Sequence, residues 1–135
     1  IDVIDRAALP PGAEPQLLPQ EYAADGIFAR LDAWLARHAG DFGFFRPYDL
    51  DRGGVQPEPW HLSFAPVSGA ALRALTVDVL REALDGVDLA GAEAVGPQLP
   101  EIHARYVQAV ATPSKLALAA PRLATRRVSP ATRPS

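Results

Sequence analysis

The stretch Glu58-Pro59-Trp60-His61 places a carboxylate three positions before an imidazole. On a helix, two histidines four apart share a face and can grip one metal ion. That arrangement does not apply here, because Pro59 cannot sit inside a helix and disfavours a helical Glu58. In a regular strand, residues three apart point to opposite faces. Glu58 and His61 reach a common centre only if the proline bends the chain between them. Such a bend suits a metal site in which His61 ligates and Glu58 sits beside a bound water. A zinc ion with three protein ligands keeps its fourth position for water and lowers that water's pKa to about 7. A nearby carboxylate then takes the proton as hydroxide attacks a carbonyl, and returns it to the leaving amine. The spacing alone favours a plainer reading, a surface glutamate beside a core-edge histidine.

The surroundings are more specific. The run Phe42-Gly43-Phe44-Phe45-Arg46-Pro47-Tyr48, a glycine-containing loop, and then Glu58-Pro59-Trp60-His61-Leu62-Ser63-Phe64 resembles the zinc D-Ala-D-Ala carboxypeptidase family. That group includes the vancomycin-resistance carboxypeptidases and dipeptidases. The resemblance covers about residues 1 to 65. It implies that Glu58 is the catalytic base, His61 the last zinc ligand, and Trp60 a residue lining the site. The family's other two ligands come from an element Ser-x-His-x-x-Gly-x-Ala-x-Asp running into a strand. Asp2, followed by Val3 and Ile4, looks like its closing aspartate, with Asp5 as the rival. The first ligand histidine and an upstream substrate-binding arginine have no counterpart in the chain. The resemblance therefore implies a Zn2+ peptidase of peptidoglycan stem peptides, in the cell envelope or periplasm, and a fragment that is inactive for want of one ligand.

Other polar residues admit plainer readings. Arg46 stands where relatives often carry arginine, as a contact for a substrate carboxylate or as a solvent-facing strand residue. His38 lies near a helix end, where a cation complements the dipole, and His103 lies beside an apolar stripe; both read as structural. Tyr48, Asp49 and Asp51 form a polar cluster before Gly53-Gly54, and aspartates in such turns usually bond to the backbone. A calcium loop needs more acidic positions.

The elements that must position these groups belong to one small domain. The chain has 135 residues, 48% hydrophobic and 21% charged, the profile of an ordinary globular protein. A net charge of -3 does not point to nucleic acid. Zero cysteines exclude disulfides and thiolate-held metals, leaving His, Asp and Glu as donors. No apolar run approaches the ~18 residues of a membrane span. After Glu101 every charged residue is basic: Arg105, Lys115, Arg122, Arg126, Arg127 and Arg133. That end reads as a solvated linker or a contact for anionic envelope polymers.

Ile1–Asp5 alternates as a half-buried strand does. Four prolines make 9–20 a loop, and Asp25 predicts the cap of a helix over 26–38 with Ile27, Leu31, Trp34, Leu35 and His38 on one face. Phe42–Tyr48 and Trp60–Phe64 read as strands of an antiparallel hairpin. Beyond Pro66 the pattern is helical: Thr76 to Leu84, closed by Gly86; another from Asp88; and a last one opened by Pro100. Residues 112–135 are rich in Pro, Ala, Ser, Thr and Arg, a disordered composition. The expected architecture is α+β: a small antiparallel sheet with a packed helix, then a helical extension and a disordered tail. The divisions are 1–66 (the end of a zinc peptidase domain), 67–111 and 112–135. Without upstream strands, one sheet edge and one core face would be exposed. A competing function is a non-catalytic peptidoglycan-binding or protein-interaction module, and a third reading is a truncation product with no function of its own. The bond cleaved and the oligomeric state have no signature in the sequence.

Overall fold

The computed structural model describes residues 1–120, and its architecture is α+β. Strand β1, Phe44–Phe45, pairs antiparallel with β2, Ser63–Phe64, in the register Phe44 with Phe64 and Phe45 with Ser63. The hairpin forms as its sequence predicts, but the ladder is short at both ends. Phe42 belongs to a 3-10 turn, Ala39–Phe42, and Gly43 closes that turn at φ +80. Pro47 then removes the donor that further pairing needs.

A second pairing lies on the other edge of the Trp60–Phe64 segment, where Asp2 and His61 form an antiparallel bridge. The Ile1 nitrogen donates to the Leu62 carbonyl (2.7 Å), Leu62 N–H to the Ile1 carbonyl (2.8 Å), and Val3 N–H to the Trp60 carbonyl (3.0 Å). Because Leu62 turns its amide toward residue 1 and Ala65 toward Gly43, the two partners flank one central segment. Side chains then divide by alternation. Val3, Trp60 and Leu62 go to the core, while Asp2, His61 and Ser63 share the opposite face.

Helix α1, Ala29–His38, covers the core face. It begins three residues later than the Asp25 cap predicts, because Phe28 N–H is bonded to the Glu21 carbonyl at 2.6 Å. Gly26 fits there because a side chain would run into the carbonyls of Gln20 and Glu21. The buried stripe is Phe28, Leu35 and Ala39 with Leu31 beside it, whereas Ile27 and Trp34 are exposed. One core cluster joins Tyr22, Phe28 and Trp60; the other joins Leu35, Ala39 and Leu62 with Val3 and Phe44. An open apolar groove of about 360 Å³ remains on this face, bordered by Ile1, Trp34, Phe42, Phe44 and Leu62.

The extension is helical. Helix α2, Ala65–Ala74, carries Pro66 in its first turn, where proline fits well. Helix α3, Val77–Asp85, has its predicted cap, with Thr76 Oγ1 accepting from Val79 N–H at 3.3 Å. The helix expected from Asp88 is the short α4, Ala92–Val95, entered through Gly91. Helix α5, Leu99–Ile102, carries Pro100 in its first turn and continues as a π-helical segment, His103–Gln108. His103 donates from Nε2 to the Leu75 carbonyl at 2.6 Å, the structural role its position suggests. The disorder expected from residue 112 does not extend to Lys115–Ala119, which form helix α6. Ser114 Oγ caps it (3.1 Å from Ala117 N), and Ala117 is fully buried. Residues 121–135, where the rest of that expectation falls, lie outside the described residues.

Candidate active site

Asp2 and His61 meet across a pair that does not exchange backbone hydrogen bonds, the type in which side chains come closest. His61 Nδ1 lies 2.8 Å from Asp2 Oδ1. Asp5, the alternative to Asp2, is engaged locally and accepts from Ala7 N–H at 3.0 Å. Glu58 arrives by a tight turn. His61 N–H bonds to the Glu58 carbonyl at 3.1 Å, with Pro59 in the position a β-turn favours for proline. The bend leaves Glu58 Oε2 3.8 Å from His61 Nδ1. Asp2, fifty-nine positions from His61, thus shares one face with His61 and Glu58, and all three are accessible, with side-chain exposures of 49% for Asp2, 31% for Glu58 and 30% for His61.

Two tyrosines that sequence reasoning did not assign to the site hold it in place. Tyr48 accepts Glu58 N–H on its backbone carbonyl at 2.9 Å, and its ring lies 5.1 Å from the His61 ring. The ladder stops at Phe45, so no strand pattern in the sequence points Tyr48 toward His61. Tyr22 is buried against Phe28 and Trp60, and its hydroxyl donates to the Val3 carbonyl at 2.7 Å. The residue after Asp2 is therefore held from both sides. Burial above all, with the charges of Glu21 and Asp2, pushes the Tyr22 phenol up to about 12. Glu21 shapes the turn that delivers Tyr22 by accepting from Leu18 and Gln16 N–H, bonds that lower its carboxyl below the ordinary value.

The other expected site residues point elsewhere. Trp60 sits in the core cluster with Tyr22 and Phe28, on the face opposite His61, because neighbours on an extended segment alternate. Its contact with the site is through the backbone it shares with His61. Arg46 donates to Asp32 Oδ1 at 2.7 Å and ties β1 to α1. Its Nε is buried without a hydrogen-bond partner among the described residues. His38 pairs with Asp41 at 3.4 Å beside Trp34. The polar loop behaves as a turn: Asp51 accepts from Gly53 N–H (2.7 Å) and Gln56 (3.1 Å), which lowers its carboxyl, while the hydrogen bond from Arg52 lowers Asp49.

The donor types suit zinc, which takes imidazole nitrogen and carboxylate oxygen at about 2.0–2.2 Å. Two such ligands of one tetrahedral ion stand about 3.3 Å apart, close to the 2.8 Å between His61 Nδ1 and Asp2 Oδ1. Two carboxylates around one imidazole also favour a cation on simple charge grounds. Two donors fall one short of the three protein ligands of a catalytic zinc, however. Among the described residues no group of three or more His, Asp and Glu side chains could hold a metal ion.

Comparison with known proteins gives the class, a hydrolase family. The VanY family, D-alanyl-D-alanine carboxypeptidase, matches residues 4–67, a span that includes Glu58 and His61 and begins just after Asp2. An uncharacterized protein of Haemophilus influenzae (strain ATCC 51907 / DSM 11121 / KW20 / Rd) is 31% identical over 109 residues, covering 79% of this chain and 83% of that protein. No solved structure matches the chain significantly. The chain belongs to the VanY D-alanyl-D-alanine carboxypeptidase family. The likeness to the Haemophilus protein is too long to end with the family match at residue 67, so it runs into the helical extension.

Proposed function

We propose that this chain carries the metal-and-base half of a zinc-dependent D-alanyl-D-alanine carboxypeptidase acting on peptidoglycan stem peptides. The observation that supports this most is the convergence of Asp2 and His61 at 2.8 Å with Glu58 on the same face. In this reading Asp2 and His61 are zinc ligands, and a third donor completes the set. Bound there, zinc supplies a Lewis acid that polarises the carbonyl and acidifies water. Glu58 accepts the proton of the attacking water on its carboxylate and delivers it to the leaving amine nitrogen. Tyr48 keeps Glu58 and His61 in register, and Trp60 and Arg46 act from behind, fixing the segment and β1. A substrate of this kind places the protein in the cell envelope or periplasm.

With two donors of its own, the chain as given binds zinc weakly and turns over little. The incomplete donor set also favours a second reading, a peptidoglycan-binding module that has no use for metal. Two assays on protein with a complete ligand set separate the readings: zinc retention through dialysis, and D-alanine release from a peptide ending in D-Ala-D-Ala. The peptidase reading expects zinc binding that depends on His61 and hydrolysis that depends on Glu58. Peptide binding untouched by zinc, and by both Glu58→Gln and His61→Ala, would leave the binding module standing instead.

A further inference from the structure

Glu58 is held by its backbone at the end of a loop. Its N–H reaches the Tyr48 carbonyl at 2.9 Å, and its own carbonyl accepts from His61 N–H at 3.1 Å. Residues 49–57, between Tyr48 and Glu58, belong to no helix or strand. Within this loop the bonds are short-range: Asp51 to Gly53 and Gln56, and Arg52 to Asp49. Segments with few buried contacts open at low free-energy cost, so a carboxylate carried by such a loop needs support from elsewhere.

The helical extension supplies that support. Arg105 Nε donates to the Gly53 carbonyl at the loop tip. Gly54 lies so close to the Arg105 carbonyl that any side chain there would collide with it. The Asp51 carboxyl is lowered first by the bond from Gly53, then by that from Gln56, and the Arg105 charge adds to both. The segment carrying Arg105 is in turn anchored on either side. His103 Nε2 donates to the Leu75 carbonyl at 2.6 Å, just past α2, and Ala111 N–H bonds to the Pro47 carbonyl at 2.8 Å. Between these anchors His103–Gln108 is π-helical, a rare backbone form that is frequent at functional sites.

We infer that Arg105 is a positioning residue for Glu58: its hold on Gly53, backed by the close contact with Gly54, fixes the 49–57 loop and with it the carboxylate beside His61. The role of Glu58 itself rests on the peptidase reading above. What is added is that the extension, which lies beyond the family match at residue 67, acts on the site through this loop. Ala111 grips the chain at Pro47, where the loop begins, and Arg105 grips it at the tip. Held at both places, the loop delivers Glu58 to one position. A reacting group misplaced by 1 Å costs on the order of 10²-fold in rate, so a small loosening of the loop has a large effect. Arg105 is itself exposed, so its bond to the loop, and not core packing, is what its removal takes away.

The test uses the full chain without metal and reads two places. Amide exchange follows the Glu58 N–H, with the Val3 N–H, bonded to Trp60 on the other edge, as the control. The His61 ring resonances follow the Glu58 carboxylate, which lies 3.8 Å from Nδ1. Arg105→Ala should speed exchange at Glu58 about tenfold, the worth of one hydrogen bond from a charged donor, shift the His61 ring, and leave Val3 unchanged. Gly54→Ala should do the same by pushing the Arg105 segment off the loop, and Arg105→Lys, which keeps a cationic donor, should recover part of the protection. In a Glu58→Gln background Arg105→Ala should no longer move the His61 ring, because the carboxylate through which it acts is gone. If exchange rises only in His103–Gln108 while Glu58 and the His61 ring stay unmoved, Arg105 serves the extension alone and the assignment is overturned. A ring shift of equal size in the Glu58→Gln background overturns it as well. In protein with a complete ligand set, Arg105→Ala should lower kcat for D-alanine release and spare KM. If that protein releases no D-alanine while the exchange and ring effects persist, the peptidase reading falls and the positioning of Glu58 by Arg105 stands.

Discussion

Replacing Tyr22 by phenylalanine removes one oxygen atom and tests how the Asp2 strand is held. The ring contacts with Phe28 and Trp60 remain, at centroid distances of 5.0 and 5.7 Å, so the apolar part of the core is nearly unchanged. What goes is the 2.7 Å bond to the Val3 carbonyl. Leaving a partly buried acceptor unpaired costs about 1–2 kcal/mol. With an unfolding entropy near 2.1 cal/mol/K per residue, that lowers Tm by about 5 °C in a chain of this size. A pH series adds a second signature. The phenol is raised to about 12 when folded, and its ordinary value is 10.0. Its contribution is thus complete below pH 10 and is lost as pH climbs through 12, because the unfolded state releases the proton first. Thermal melts and urea titrations of both proteins from pH 7 to 12 should show a gap at neutral pH that closes in the alkaline window. Equal stability at pH 7, or a gap that ignores pH, would refute the claim that the Tyr22 hydroxyl secures this strand.

Other changes probe the site and its frame. Glu58→Gln in zinc-loaded protein with a complete ligand set should cut D-alanine release about 10²–10⁴-fold while bound zinc, measured by metal analysis, stays constant. His61→Ala should abolish zinc retention in equilibrium dialysis, and Asp2→Ala should weaken it strongly, whereas Asp5→Ala should leave it unchanged. Gly43→Ala forces a side chain into a φ +80 position, 2.8 Å from the Phe64 ring. It should destabilise the chain by at least about 1–2 kcal/mol in urea melts. Arg46→Ala, by breaking the 2.7 Å pair with Asp32, should lower Tm and leave the zinc affinity of the Asp2–His61 pair intact; a selective loss of peptide binding would instead return Arg46 to the substrate.

The parts of this site that depend on short-range rules were legible in the sequence. Alternation across Ile1–Asp5 foretold an extended segment, and the proline between Glu58 and His61 demanded a bend, which is a hydrogen-bonded turn. The hairpin and the Thr76 cap follow from turn and capping chemistry in the same way. The choice of Asp2 over Asp5 came only from the family pattern; its physical basis is the cross-strand register with His61. Trp60 and Arg46 lie away from the Asp2–His61 face, a placement the sequence did not reveal because a motif gives the order of residues and not the face each one takes. Their partners, Tyr22 and Asp32, lie on separate elements that no local pattern links to them. The late start of α1 has the same origin, a long bond from Phe28 back to Glu21 that overrides the capping preference of Asp25. Composition likewise misjudged Lys115–Ala119, where burial of Ala117 outweighs a polar, proline-rich context.

The bridge between Asp2 and His61 also has a consequence for the order in which the molecule assembles. Its two halves are separated by 59 positions, and joining ends of a loop that long costs on the order of 3–4 kcal/mol of chain entropy. The Glu58–His61 turn and the hairpin close far smaller loops and can form early, so the two donors come together only when the first strand docks. An ion that binds both donors binds the docked form alone, and it stabilises that form by mass action. Metal uptake in this chain would therefore report that the last strand has joined the sheet.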